Sequence, residues 1–299
     1  MSEQRIVVGY DGSESSRVAL TWALAEASAR QAPIVAVHVL DVATGPWASG
    51  SARSARTHDE LRGEGERLLL AAQHESRREA PDVDLQTRLL EGPAAGTLLD
   101  QLADASMVVV GRGGLGELAE LLVGSTDVQL VNHASCPVVV VRSLEYQEPG
   151  PEAGCVVVGV DGAERSADVL AFAFEEASVR GVGLTAVHAW QEPFAELPVH
   201  APHPGDWPLE VVEQDAEATL AGLLEPWAEK MPEVAVRARV VRGEPARQLV
   251  AASPGAALVV VGSRGRRGFA TLLLGSVGHS VVHHAKAPVA LVRHRTHIG

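Results

Sequence analysis

The sequence is poor in cysteine, basic residues and long apolar runs, and each shortage excludes a class of protein. Its 299 residues include only Cys136 and Cys155, too few for the disulfide framework of a small secreted domain. The formal net charge of -13 argues against a general nucleic-acid binder, because a phosphate backbone attracts clusters of Lys and Arg. No apolar run approaches the roughly 20 residues that span a bilayer, and the first residues lack a signal-peptide pattern. We therefore expect a cytoplasmic protein without nucleic-acid or membrane partners.

The shortage of lysine also limits the kinds of nucleotide site that the chain can build. Lys230 and Lys286 are the only lysines and neither follows a glycine, so the Gly-Lys-Ser/Thr of a P-loop is missing. The first strand of each half is followed by G-x-D-G, which is not the G-x-G-x-x-G dinucleotide fingerprint. Neither a Ser-His-Asp nor a Cys-His arrangement can be assigned, so the sequence predicts no catalytic residue and no metal ligand.

Short Val-rich runs alternate with helical patterns along the whole chain. Such runs are typical of strands buried on both faces, and their alternation with helices predicts an open parallel sheet with helices on both sides. The predicted strands of the first half are 5–10, 34–40, 85–90, 107–110 and 137–142. Its predicted helices are 16–30, 59–78, 94 to about 104, and 125–133, and residues 43–56 are predicted to form a loop.

The second half of the sequence repeats the first. Val156 to Asp161 (VVVGVD) matches Ile6 to Asp11 (IVVGYD), and further landmarks recur at an offset of 150 and then 151 residues. This register indicates a duplicated domain of about 145 residues. The predicted domains are 1–143 and 155–299, joined by a polar, Pro- and Gly-containing linker at 144–154.

Each half also contains a glycine motif after a predicted strand. Gly111 and Gly114 are followed after nine residues by Gly124-Ser125, and the second half repeats this spacing. Glycines at a strand exit allow tight turns and close approach of backbone N–H groups to an anion. A Gly-Ser pair at a helix start adds further N–H donors. The pattern predicts two lysine-free sites for a di- or triphosphate.

The duplicated G-x-x-G-x9-G-S/T pattern, the aspartates that end the first strands and the AVHV and AVHA strands together resemble the universal stress proteins, in their tandem ATP-binding form. The resemblance implies two Rossmann-like domains of the adenine nucleotide alpha hydrolase type, each with about five strands. It also implies ATP, with Mg²⁺ or Mn²⁺, as the ligand, a homodimer, and a regulatory protein partner.

The resemblance assigns nucleotide-binding residues to each half. In the first half, Asp11 and Val39 would border adenine and ribose, and the glycines and Ser125 would lie at the phosphates. The predicted residues of the first half are Gly9, Asp11, Val39, Gly111, Arg112, Gly114, Gly124, Ser125 and Thr126. Those of the second half are Gly159, Asp161, Ala189, Gly262, Arg264, Gly265, Gly275, Ser276 and Val277.

The two halves depart from the family pattern in different ways. ATP-binding members often have a second Ser or Thr two residues after the Gly-Ser serine, where this chain has Asp127 and Gly278. The nine-residue spacer carries Glu117 and Glu120 in the first half, but two arginines, 266 and 267, in the second. A carboxylate near a triphosphate costs Coulomb energy, so we expect the second site to bind ATP more tightly.

Three functions remain open from the sequence. The first is a non-enzymatic, ATP-binding stress-response module that retains its nucleotide. The second is a slow ATPase or autophosphorylating enzyme, with Ser125 and Ser276 as the first acceptors to test. The third is a nucleotide-free interaction module. A plain helix cap is the alternative interpretation of Asp11 and Asp161. His38 and His188 are expected to be structural in each case.

Overall fold

The structure is a computed structural model that describes residues 5–40, 58–112, 125–142, 148–162, 166–191, 209–263 and 274–293, with the backbone alone for 125–128. The chain separates into two compact units, Met1–Glu145 and Tyr146–Gly299. The predicted loop at 43–56 lies outside the described residues.

In the first unit, strands and helices alternate along the described residues. The elements are β1 Arg5–Gly9, α1 Glu14–Arg30, β2 Ile34–Leu40, α2 His58–Glu79, β3 Leu85–Glu91, α3 Ala94–Leu99, β4 Ala105–Gly111, α4 Ser125–His133 and β5 Val138–Val141. The strands are parallel in the order β3-β2-β1-β4-β5, and Ile6 of β1 pairs with Ile34 on one side and Met107 on the other.

The second unit repeats this arrangement. Its elements are β6 Val156–Val160, α5 Ser166–Arg180, β7 Leu184–Trp190, α6 Leu209–Lys230, β8 Val236–Arg242, α7 Pro245–Ala252, β9 Leu258–Gly262, α8 Ser276–His284 and β10 Val289–Val292. The parallel order is β8-β7-β6-β9-β10, and Val156 pairs with Leu184 and Leu258. The extra residue of this half falls between the end of β7 and the start of α6.

The cores confirm the fold class predicted from the sequence. The Val-rich centres of β1, β4, β6 and β9 are almost fully buried, as expected for strands covered on both faces. In the first unit α1 packs beside α2 and α3 packs beside α4, and both pairs contact the sheet. Each half is therefore an open parallel α/β domain with helices on both faces.

Two local predictions differ from the structure. The helix expected to reach about Asp104 ends at Leu99, because the N–H groups of Gln101 and Leu102 bond three residues back, as in a tighter turn. In the predicted linker, Glu152 is only 1% exposed and accepts hydrogen bonds from Thr185 Oγ1 (2.6 Å) and Arg239 Nη1 (2.8 Å). Part of this segment thus belongs to the packed second unit, and the domain limits remain a prediction.

Candidate functional site

The candidate site of each half lies at the carboxyl ends of the central strands. After β1 the chain builds β2 and β3 on one side, and then returns to place β4 on the other side of β1. This reversal leaves a crevice beyond the strand ends, which is where open α/β sheets bind their ligands. The same reversal occurs between β6 and β9 in the second half.

Asp11 organises the turn from β1 to α1. Its Oδ1 accepts hydrogen bonds from the Ser13 backbone N–H (2.9 Å) and the Ser13 hydroxyl (2.5 Å). Ser13 is the N-cap of α1, and its oxygen accepts from the backbone N–H of Ser16. Asp11 thus supports the cap of the helix that follows the strand.

The same contacts set the charge state of Asp11. Burial raises the pKa of this carboxyl, but hydrogen bonds from the side chain and backbone of Ser13 and from Ser16 favour the charged form. Together they lower the pKa below its ordinary value. The first half therefore presents a negatively charged group at the strand end at neutral pH.

Asp161 occupies the equivalent turn of the second half. Its Oδ1 accepts a 2.9 Å hydrogen bond from Ser166 Oγ, in the first turn of α5. The sequence did not predict the supporting contacts of serines 16 and 166. The detectable signal was an Asp followed, two or five residues later, by a hydroxyl residue at a helix start.

Strand β2, beside β1, contributes a histidine and a partly exposed aliphatic residue. Strand β7, beside β6, does the same in the second half. The His38 Nδ1 lies 2.8 Å from the Tyr10 carbonyl oxygen, and the His188 Nδ1 lies 2.8 Å from the Val160 carbonyl oxygen. The next residues, Val39 and Ala189, are each partly exposed at the strand ends.

Packing explains the glycine at the end of β4. A Cβ at Gly111 would lie 2.3 Å from the carbonyl carbon and oxygen of Ser15 and 2.7 Å from the backbone nitrogen of Ser16. The first turn of α1 therefore lies directly against this strand end. Arg112 extends the pairing of β4 with β5, because its backbone N–H donates to the Val141 carbonyl at 2.7 Å.

Gly9 and Gly159 also have packing reasons to be glycine. A Cβ at Gly9 would meet Leu98 and Val110 side-chain atoms at 3.3 Å. A Cβ at Gly159 would come within 2.7 Å of Leu249 Cδ1. Both glycines thus allow α3 or α7 to lie close to the first strand, whatever their role toward a ligand.

In the second half, the two ends of the glycine motif meet. The Gly275 backbone N–H donates to the Ser263 carbonyl at 2.9 Å, which brings the start of α8 to the end of β9. Gly275 is the N-cap of α8, and no side chain among the described residues caps this helix. Gly278 is buried in the first turn, where an added Cβ would lie 3.5 Å from the Gly262 carbonyl oxygen.

This arrangement leaves the N–H groups of Ser276, Val277 and Gly278 without a capping side chain in the described part of the chain, since the His279 N–H is the first that bonds back to Gly275. Such a helix start attracts anions through its N–H groups and its dipole. The structure therefore brings Gly262, Gly275, Ser276 and Val277 together.

Several predicted residues cannot be placed in this way. Gly114, Gly124, Arg264 and Gly265 lie outside the described residues, as do the charged spacer residues Glu117, Glu120, Arg266 and Arg267. Ser125 and Thr126 are described by their backbone alone, at the start of α4. Their predicted contacts with phosphate remain predictions.

No helix within the described ranges is long and apolar enough to cross a membrane. Among those same residues, no group of three or more His, Cys, Asp or Glu side chains has an arrangement that could hold a metal ion.

Fold and site together define a tandem pair of Rossmann-like α/β domains, each with its central strand ends facing a helix start. The profile of the Universal stress protein family matches residues 3–142 and again 155–293. The chain belongs to the universal stress protein family.

Its relatives share the doubled organisation. A universal stress protein of Mycobacterium tuberculosis is 39% identical over 298 residues, covering 96% of both chains. One from Mycolicibacterium smegmatis is 38% identical over 309 residues, covering 98% of both. The crystal structure of a universal stress protein from Archaeoglobus fulgidus matches with a TM-score of 0.70 over 98% of this chain and 97% of that one. Its 17% identity supports the fold alone.

Proposed function

We propose that this protein is a cytoplasmic ATP-binding regulatory module that retains its nucleotide instead of turning it over. Each half would hold one ATP beyond the carboxyl ends of its central strands. Loss or gain of the nucleotide would shift the chain between two states and so present or hide a surface for a regulatory partner.

The observation that carries this proposal is the start of α8. Three successive N–H groups, from Ser276 to Gly278, lie beside the end of β9 without a side-chain cap among the described residues. A triphosphate supplies the anionic oxygens that such a helix start binds without help from lysine. Asp161 and Ala189, at the ends of the neighbouring strands β6 and β7, would then border the ribose and adenine.

The other residues of the proposed sites follow the duplication. Gly262, Gly265, Gly275, Ser276 and Val277 would hold the phosphates in the second half, and Gly111, Gly114, Gly124, Ser125 and Thr126 in the first. Mg²⁺ or Mn²⁺ would neutralise part of the phosphate charge, as divalent cations do when bound by substrate phosphates.

A pair of substitutions at Ser276 tests the proposed phosphate contact. Ser276→Pro removes the first N–H of α8, and proline is favoured at this helix position after a residue as extended as Gly275 (φ -64°, ψ 151°). Ser276→Ala removes the hydroxyl and keeps the N–H. We expect Ser276→Pro to weaken Mg-ATP binding by about tenfold, the value of one charge-assisted hydrogen bond, and Ser276→Ala to weaken it less.

Isothermal titration calorimetry gives these affinities, and native mass spectrometry of the purified protein shows which nucleotide accompanies it. Wild-type protein that carries no nucleotide and gives no heat with Mg-ATP would contradict the proposal and favour an interaction module. Prompt metal-dependent phosphate release, or phosphate on Ser125 or Ser276, would contradict retention and favour an enzyme.

We also propose a homodimer, which the family resemblance supports. Leu209 and Val211, at the start of α6, are exposed apolar residues in the described structure (40% and 56%). Light scattering at several concentrations measures the mass directly, and a concentration-independent monomer would contradict this proposal.

A further inference from the structure

A histidine ties the ends of two neighbouring strands together in both halves. His38 Nδ1 reaches the carbonyl oxygen of Tyr10, and His188 Nδ1 reaches that of Val160, each over 2.8 Å and 28 residues of sequence. The residue that supplies the carbonyl differs, Tyr in one half and Val in the other. The hydrogen bond has therefore been kept while the side chain around it has changed.

The chemistry of the bond fixes the tautomer of the ring. A carbonyl oxygen only accepts, so the ring nitrogen facing it must carry the proton. In the neutral imidazole the Nδ1–H donates to the strand end and Nε2 is left unprotonated. The ring is thus a fixed donor at this position.

The bond lies between the residues proposed to border adenine and ribose. Tyr10 and Val160 immediately precede Asp11 and Asp161, and the histidines immediately precede Val39 and Ala189. In the first half the last backbone bond between these strands, from Tyr10 N–H to the Val37 carbonyl, is 2.9 Å long. The histidine adds one more link beyond it, where the regular ladder ends.

Packing holds the ring in place. His188 is 7% exposed in the second half. In the first half, α2 approaches so closely that a Cβ at Gly65 would lie 2.9 Å from His38 Cδ2. The donor thus lies between α2 and the strand end in the first half and is buried in the second, which suits a role in positioning.

The geometry points to His38 and His188 as positioning residues of the two nucleotide sites. Each fixes the spacing of the two strand ends that flank the adenosine part of the ligand, without contacting the ligand itself. This inference rests on the proposed function, because it concerns the adenosine end of the same sites.

Replacing both histidines with asparagine or with leucine distinguishes the effect of the hydrogen bond from the effect of filling the buried space. The Nδ2 of asparagine occupies the place of the histidine Nδ1, so the double variant His38→Asn/His188→Asn keeps the donor. The double variant His38→Leu/His188→Leu removes it while filling the space. Changing both halves together makes the result independent of which site is occupied.

Thr185→Val provides the matched control. Thr185 lies on β7 like His188, is buried (1% exposed), and also loses one buried hydrogen bond on substitution, its partner being Glu152. It lies toward the amino end of the strand, away from the proposed site. Thr185→Val should lower the melting temperature and leave the Mg-ATP affinity of the folded protein unchanged.

We expect the Leu double variant to bind Mg-ATP up to about tenfold more weakly in calorimetry, because strand ends that have lost one hydrogen bond must be ordered when the ligand binds. We expect the Asn variant to recover most of that loss. A Leu variant that melts earlier yet binds Mg-ATP as tightly as wild type would overturn the inference and leave the proposed function intact. If wild-type protein itself binds no Mg-ATP, the proposed function fails and the inference falls with it.

Discussion

The two halves share a hydrogen-bonded skeleton and differ in the side chains around it. Strand order, register and the histidine link are the same in both. Yet Leu40 is replaced at the equivalent position by Trp190, and Gly65 by Ala216. Duplication has therefore preserved the strand frame, while some residues packed beside the strand ends have changed.

Trp190 shows the difference most directly. Its indole Nε1 is buried and has no hydrogen-bond partner in the described structure, whereas Leu40 has no polar atom to satisfy. A buried donor without an acceptor costs about 1–3 kcal/mol. At this strand end the second half therefore has a buried N–H donor, which the first half lacks at the equivalent position.

The largest effect on stability is expected at Gly111. Gly111→Ala places a Cβ 2.3 Å from the Ser15 backbone, which cannot move without displacing α1, so we expect a loss of about 3 kcal/mol of unfolding free energy. Chemical denaturation measures this loss.

Gly63→Ala is the control for Gly111→Ala. A Cβ at Gly63 meets no described atom within 4 Å, so this change in α2 should be neutral or stabilise by up to about 1 kcal/mol. Equal denaturation midpoints for the two variants would show that α1 does not press on the end of β4.

A smaller effect distinguishes the equivalent glycines of β1 and β6. Gly159→Ala brings a Cβ within 2.7 Å of Leu249, against 3.3 Å for the nearest atoms at Gly9. We therefore expect Gly159→Ala to destabilise by about 1 kcal/mol more than Gly9→Ala. The same denaturation experiment gives both values. A larger loss of stability at Gly9 would show that α3 packs more tightly on β1 than α7 packs on β6.

Much of this fold follows from sequence, and the exceptions have physical causes. Val-rich runs such as Val156–Val160 predict buried strands because no polar face interrupts them. The burial of Glu152 is not predictable, since its partners Thr185 and Arg239 lie far away in the sequence. The need for glycine at position 111 is not predictable either, because the backbone it packs against, the first turn of α1, lies almost 100 residues earlier in the sequence.

The sequence predicts which residues lie at the candidate site better than it predicts the hydrogen bonds that those residues make. The Asp11 motif marks the strand end correctly, but its bonds to Ser13 depend on the conformation of the turn. The spacing of Gly262 and Gly275 does not reveal that Gly275 donates to Ser263. Local patterns identify which residues lie at the strand ends, and tertiary geometry decides what they bond.

The smallest expected effect is the pH dependence at Asp11. Its pKa is lowered in the folded state, so the unfolded chain binds the proton more readily. The stabilisation by the charged carboxyl is complete above the unfolded pKa of about 4 and is lost as the pH falls through the lower folded value. The stability difference between wild type and Asp11→Asn should therefore shrink between about pH 5 and pH 2.

Urea denaturation across that pH range tests this directly. Ser106→Ala is a suitable control, because its hydroxyl bonds the Arg5 carbonyl and does not titrate. A wild-type advantage over Asp11→Asn that stays constant down to pH 2, or that grows, would show that the Ser13 contacts do not favour the charged form.

Each half is proposed to bind one ATP through a backbone site without lysine, and the second half is proposed to bind it more tightly. Calorimetric titration with Mg-ATP of Gly114→Ala and Gly265→Ala, two motif positions outside the described residues, measures what each site contributes. We expect Gly265→Ala to remove most of the affinity and Gly114→Ala to remove little. Loss of most of the affinity in Gly114→Ala, or wild-type affinity in both variants, would contradict it.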